Sequence, residues 1–220
     1  MWGSSPAAFA LVKTLGLKYM KELYNGIIAG ILISIGCTVY LQVNNYIGAI
    51  LFSIALYVIC TRGYSLYTGK IGFIYQNHTK EDIKALLIGL IGNIASATVF
   101  GVLISYAIPE TKELAKIICK SKLANQSAGQ TFLRALMCGV LMYVAVSGYK
   151  ESKFTLSIFL AVPVFILCGF EHSIANVGYF SIANYLTIDS ILFIIISIVG
   201  NSLGALLIPS LSTLRNIHEK

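Results

Sequence analysis

Two adjacent residues, Glu171 and His172, interrupt an apolar stretch that runs from Leu156 to Phe180. An imidazole in such a place can handle protons, because modest changes of environment switch its charge near physiological pH. Thr68 offers a hydroxyl inside a comparable interruption, Thr61 to Lys70, and Asn93, Asn176 and Asn201 place amides within or beside apolar segments. Ionisable groups in such segments cost roughly 2.5–3.5 kcal/mol on insertion scales and mark ion or proton pathways. His172 is the one histidine away from loops and tails. One histidine beside one carboxylate falls short of a metal-ligand set. The five cysteines (Cys37, Cys60, Cys119, Cys138, Cys168) contain no CxxC pair, and four lie in apolar runs as small hydrophobic fillers. No metal, no cofactor and no enzymatic activity is expected.

Composition names the medium that surrounds these groups. The chain has 220 residues, 57% hydrophobic and only 11% charged, with a mean hydropathy of +0.80. A soluble domain carries about 25% charged residues, so much of this surface must face hydrocarbon. The net charge of +7 is spread over short connecting segments with no aromatic-basic stripe. That excludes a nucleic-acid partner and fits the basic loops of a membrane protein.

Six apolar spans are predicted, a bilayer core needing about 20 residues of helix. The first covers Ile27–Val43, with a turn at Asn44-Asn45. The second runs from Tyr46 to Cys60, breaks at Thr61–Lys70 and ends in a short tail, Ile71–Tyr75. The third covers Ile83–Ile108 and stops at Pro109. The fourth covers Phe132–Tyr149. The fifth covers Leu156–Cys168, breaks at Gly169–Ser173 and resumes toward Phe180. The sixth covers Ile188–Ile208. The stretch Pro6 to Tyr24 reads as an amphipathic helix at the membrane interface. This gives an N-terminal segment (residues 1–24), a pore domain (25–210) and a C-terminal tail (211–220). The first span is expected to be retained, because about 25 residues including Glu22 precede it and no small-x-small cleavage pattern follows. Lys13, Lys18, Lys21, Lys80, Lys84, Lys150, Lys153, Arg215 and Lys220 fall on the face shared by both termini. Lys112, Lys116, Lys120 and Lys122 fall on the other. Both termini are therefore expected in the cytoplasm.

Gly92-Asn93 in the third span and Gly200-Asn201 in the sixth are 108 residues apart. With the second and fifth spans both broken, the pattern is a 3+3 inverted repeat, whose broken helices meet near the midplane and build the site. Irregular backbone inside hydrocarbon survives only where protein or a water-filled cavity satisfies it. The half-helices beyond the breaks are expected to offer unpaired N–H groups and a partial positive charge to an anion. A bare carboxylate would repel such a cargo. Glu171 is accordingly expected to turn inward and accept hydrogen bonds from loop N–H groups, with Asn93 and Asn201 tying loop backbone to helix.

Gly169-Phe170-Glu171-His172-Ser173-Ile174-Ala175-Asn176 resembles the fifth-helix signature of the formate/nitrite transporter family, and Leu66-Tyr67-Thr68-Gly69 resembles its Leu-Phe-Thr loop. The likeness extends over essentially the whole chain from about residue 10. It implies a homopentamer of aquaporin-like protomers in a bacterial inner membrane. Each protomer would hold its own pore for formate, nitrite or hydrosulfide. By position, His172 is similar to the central pore histidine and Thr68 to its loop partner. Phe52, Leu56, Leu66 and Phe165 match the apolar constrictions. Lys122 is the nearest counterpart of a lysine on the outer approach. Cys138-Gly139 stands where the family often has Cys-Asn, so an amide expected near the pore is missing.

The expected mechanism draws a weak-acid anion into a vestibule and past an apolar constriction to Thr68 and His172. Transient protonation, with His172 as donor or relay, would spare the anion full dehydration. A neutral-solute channel of the aquaporin type predicts paired Asn-Pro-Ala motifs, and Asn176 is followed by Val177. A membrane-embedded enzyme would need a metal cluster or a nucleophile–base set, and an inert scaffold would pass no formate.

Overall fold

The computed structural model describes residues 6–43, 46–75 and 78–218, and every regular element among them is helical. In chain order these are α1 (Pro6–Val43), α2 (Tyr46–Arg62), α3 (Tyr67–Lys70) continued by a 3₁₀ turn (Ile71–Tyr75), α4 (Lys80–Ala107), α5 (Pro109–Asn125), α6 (Ala128–Ser152), α7 (Leu156–Leu167), α8 (Ser173–Ile182) and α9 (Ile188–His218). The turn expected at Asn44-Asn45 lies outside the described residues.

Thr14–Val43, Lys80–Ala107, Ala128–Ser152 and Ile188–Arg215 are each long and apolar enough to cross a bilayer. The 28 residues of α4 reach about 42 Å, more than the roughly 30 Å of hydrocarbon. The segments Tyr46–Arg62 and Tyr67–Tyr75 qualify together as one span bent by 57°, whereas Leu156–Leu167 is apolar but short. Leu87, Ile91, Val102 and Leu103 of α4 and Ile191, Leu192, Ile195 and Val199 of α9 are all exposed. A water-soluble monomer does not carry so much contiguous apolar surface. The chain is an integral membrane protein.

Three boundaries differ from the sequence reading. Helix α1 runs unbroken from Pro6 to Val43, so the expected interfacial helix is its first part; the Asn25-Gly26 pair does not turn the chain, Gly26 being packed against Gly89 of α4. Helix α9 likewise continues to His218, into the expected tail. The lysine-rich connection after Pro109 is itself a helix, α5. Pro109 starts it at a position where a missing N–H costs nothing, and Thr111, Ala115 and Cys119 form its buried stripe. Capping boxes fix the starts of α4 and α6. Thr79 N donates to Asp82 Oδ2 at 2.9 Å, and Ser127 N donates to Gln130 Oε1 at 2.9 Å.

The most extensive packing is between α1 and α4 and between α6 and α9. Both pairs run parallel, since Gly26 meets Gly89 and Gly30 meets Asn93, while Gly200 meets Phe132 and Ala135 and Gly139 meets Ala205. Small residues four apart, Gly26 and Gly30 in α1 and Gly200 and Gly204 in α9, bring the backbones this close. Gly139 belongs to this seam. A Cβ there would fall 2.9 Å from Ala205 N and closer still to Asn201 O. The position is an α6–α9 packing contact and does not face the pore, which corrects the expectation of a missing pore amide.

Candidate functional site

Helices α2 and α7 end in the same way. Gly63 and Gly169 adopt left-handed backbone, with φ of 71° and 66°, where glycine is unstrained. The next amide closes each end: Tyr64 N donates to Ile59 O at 2.9 Å and Phe170 N to Phe165 O at 2.8 Å, the Schellman pattern. Extended residues then follow, Leu66 (φ −88°, ψ 121°) before α3 and His172 (φ −94°, ψ 115°) before α8.

Two buried asparagines satisfy the irregular backbone. Asn93 Oδ1 accepts from Tyr67 N at 2.9 Å, and its Nδ2 donates at 2.8 Å to Ser65 O and Gly26 O. Asn201 Oδ1 accepts from Ser173 N at 2.8 Å, and its Nδ2 donates at 2.8 Å to Glu171 O and Ala135 O. Each amide thus uses three hydrogen bonds to hold one break against two helices. Tyr67 N, Ser173 N and Ala175 N, among the half-helix N–H groups expected to be free for an anion, are already engaged by Asn93, Asn201 and His172. Asn176 Nδ2 donates to Ser197 Oγ at 3.3 Å.

The breaks bring together the two residues that the sequence singled out. Thr68 Oγ1 and His172 Nε2 are 2.8 Å apart, with residue exposures of 1% and 3%. His172 Nδ1 accepts from Ala175 N at 3.1 Å. A neutral imidazole therefore carries its proton on Nε2 and donates it to Thr68 Oγ1, leaving the threonine O–H free to donate elsewhere. Phe165 stacks on the imidazole, centroids 5.6 Å apart and planes 18° apart, and Phe52 meets Phe165 edge-on at 6.3 Å.

Cavities approach this pair from both sides. A wide one of about 500 Å³ is lined by Tyr40, Phe52, Lys122, Arg134, Phe165 and His172, among others. A narrow one of about 180 Å³ is lined by residues that include Leu56, Leu66, Lys70, Phe73, Lys150 and Lys153. Phe52 and Phe165 thus bound the wide cavity, and Leu56 and Leu66 the narrow one.

Lysine–carboxylate pairs flank both breaks. Glu22 accepts from Ser65 Oγ and from Lys70 Nζ at 3.0 Å. Glu171, 1% exposed, has its carboxylate against Lys122 Nζ and accepts from Gln126 Nε2 at 2.8 Å. The acid belongs to the wall of the wide cavity, and its partners come from α5 and the residue after it, not from loop N–H groups as expected. Tyr67, where the family loop has Phe, finds a partner in Ser202 Oγ at 2.7 Å, which donates onward to Ile198 O at 2.6 Å. Sequence reasoning missed Ser202, Gln126, Glu22, Lys70 and Arg134. Only the charge of the last three was a signal, and charge alone does not locate a cavity. Among the described residues, no group of three or more His, Cys, Asp or Glu is placed to hold a metal ion.

The comparisons agree with this arrangement. Among solved structures, an FNT family ion channel superposes over 93% of this chain and 99% of its own, with a TM-score of 0.76 at 17% identity. A pentameric formate channel with formate bound covers 94% and 99%, with a TM-score of 0.68 at 20% identity. The uncharacterized transporter YwcJ of Bacillus subtilis (strain 168) is 25% identical over 191 residues, covering 74% of this chain and 73% of the relative. The family model described as formate/nitrite transporter matches residues 7–214. The doubled break, its paired asparagines and this match over nearly the whole sequence lead to one conclusion: the chain belongs to the formate/nitrite transporter family, and is a membrane transport protein, not an enzyme.

Proposed function

We propose that the chain is a pore for small monovalent weak-acid anions, formate first, with nitrite and hydrosulfide as same-family alternatives. The hydrogen bond between Thr68 and His172, held at 2.8 Å between two cavities, is the observation that carries this reading. The parallel pairs α1–α4 and α6–α9 and the matched breaks support a 3+3 inverted repeat with six crossings, α7 and α8 together making the fifth. The pentameric formate channel among the structural neighbours supports a homopentamer of separate pores. Lysines of the narrow-cavity face support cytoplasmic termini, in the inner membrane of a bacterium.

An anion in the wide cavity meets the Phe52–Phe165 constriction, where full dehydration would be prohibitive. The neutral pair beyond it presents the Thr68 hydroxyl proton to the anion. A second proton on His172 would enter at Nδ1, which the Ala175 N–H occupies. Proton delivery therefore runs through water and Thr68, with the imidazole holding the hydroxyl in place. The weak acid crosses the slit formed with Leu56 and Leu66 neutral and leaves through the narrow cavity, so net flux carries a proton with the anion.

Purified protein in liposomes, given formate, nitrite, hydrosulfide or lactate across a pH series with an internal pH dye, tests this directly. Formate entry above protein-free vesicles, with internal acidification, is the expected result. Vesicles that pass none of the four anions would overturn the proposal, and entry without acidification would leave an uncoupled anion channel.

A further inference from the structure

We infer that Arg134 makes the wide cavity a receptor for planar oxyanions such as carboxylates and nitrite, and that Lys122 is not the charge that meets them. The inference rests on the transport reading above. Lys122 was the vestibule cation expected from sequence, yet its Nζ contacts the Glu171 carboxylate. That pair presents no net charge to the cavity, and Gln126 occupies the second carboxylate oxygen. Arg134, partly buried on α6, lines the same cavity. Nη1 donates to Gly169 O at 3.2 Å, and none of the ion pairs among the described residues includes Arg134. A carbonyl partner orients a guanidinium without neutralising it. Gly169 leaves room for the guanidinium, since a Cβ there would fall 3.1 Å from Nη1 and press it aside by a few tenths of an ångström.

The chemistry of the fork selects the ligand. A guanidinium presents parallel N–H groups in one plane, which match the two oxygens of a carboxylate or of nitrite bidentately. A single-centre anion such as hydrosulfide gains only the charge. Glu171 is the one acidic residue in the cavity wall, and Lys122 already holds it. An entering oxyanion therefore meets one uncompensated cation of the right shape before the Phe52–Phe165 constriction.

The test compares wild type, Arg134→Lys and Arg134→Gln in liposomes, each checked for native elution. Initial rates are measured against concentration for formate, nitrite and hydrosulfide, above protein-free vesicles. Arg134→Lys keeps the charge and loses the fork. It is expected to raise the KM for formate and nitrite roughly tenfold, leaving maximal rates and the hydrosulfide KM within about twofold. Arg134→Gln is expected to raise all three. If Arg134→Gln fails to assemble, Arg134→Lys decides alone. Unchanged formate and nitrite KM values in Arg134→Lys would overturn the inference, and an equal rise for hydrosulfide would overturn its oxyanion selectivity. Wild-type protein passing none of the anions would overturn the transport reading and this inference with it.

Discussion

Thr68 and His172 make a single hydrogen bond between them, so each can be tested through the other. Thr68→Val keeps the volume and removes the hydroxyl, leaving the imidazole N–H without its partner. The loss of one buried hydrogen bond, about 1–3 kcal/mol, is expected to lower formate flux roughly tenfold or more with assembly unchanged. Liposome initial rates check this, and a flux equal to wild type would remove Thr68 from the pathway. Lys122→Met exposes a different dependence. It strands the Glu171 carboxylate in a site 1% exposed, a change worth about 3–5 kcal/mol. A large fall in melting temperature of the detergent-solubilised protein is expected, partly recovered in Lys122→Met/Glu171→Gln. Thr68 and His172 were legible in the sequence because polar groups inside apolar stretches announce themselves. Their partners were not. Gln126 and Arg134 reach the site only through the packing of α5 and α6, which nothing in their local sequence specifies.

Glycine governs the contacts between helices in two opposite ways. At Gly139 an added methyl would meet the backbone of α9, whereas at Gly16 it would meet nothing within 4 Å. Gly139→Ala is therefore expected to lower the melting temperature, at a cost of about 1–3 kcal/mol for overpacking. Gly16→Ala, at a helical position, is expected to hold or raise it by up to about 1 kcal/mol. Thermal unfolding of both variants in detergent checks the pair, and equal shifts would contradict the packing described for α6 and α9. At this scale much could be read in advance. The long apolar runs gave the four unbroken spans and the bent one formed by α2 and α3, and Gly92-Asn93 and Gly200-Asn201 marked the helices that brace the breaks. Helix α5 escaped because its lysines hide a narrow buried stripe, Thr111, Ala115 and Cys119, that only a neighbour makes meaningful. The continuity of α1 escaped too, since its composition changes near Tyr24 while its backbone does not.

The molecule as a whole places two breaks, each held by one asparagine, so that a hydroxyl and an imidazole meet between two cavities. Sequence could supply the breaks and the residues but not their meeting, because the 2.8 Å approach of Thr68 to His172 joins positions 104 residues apart. Everything functional rests on that meeting, and it has a direct measurement. Formate flux is followed from pH 5 to pH 8 in liposomes containing wild type or His172→Phe, both eluting as the native assembly. Phenylalanine fills the volume but cannot hold the Thr68 hydroxyl. The wild type is expected to pass formate faster as the pH falls, and His172→Phe to lose most of that dependence. Superimposable pH profiles for the two proteins would contradict the account.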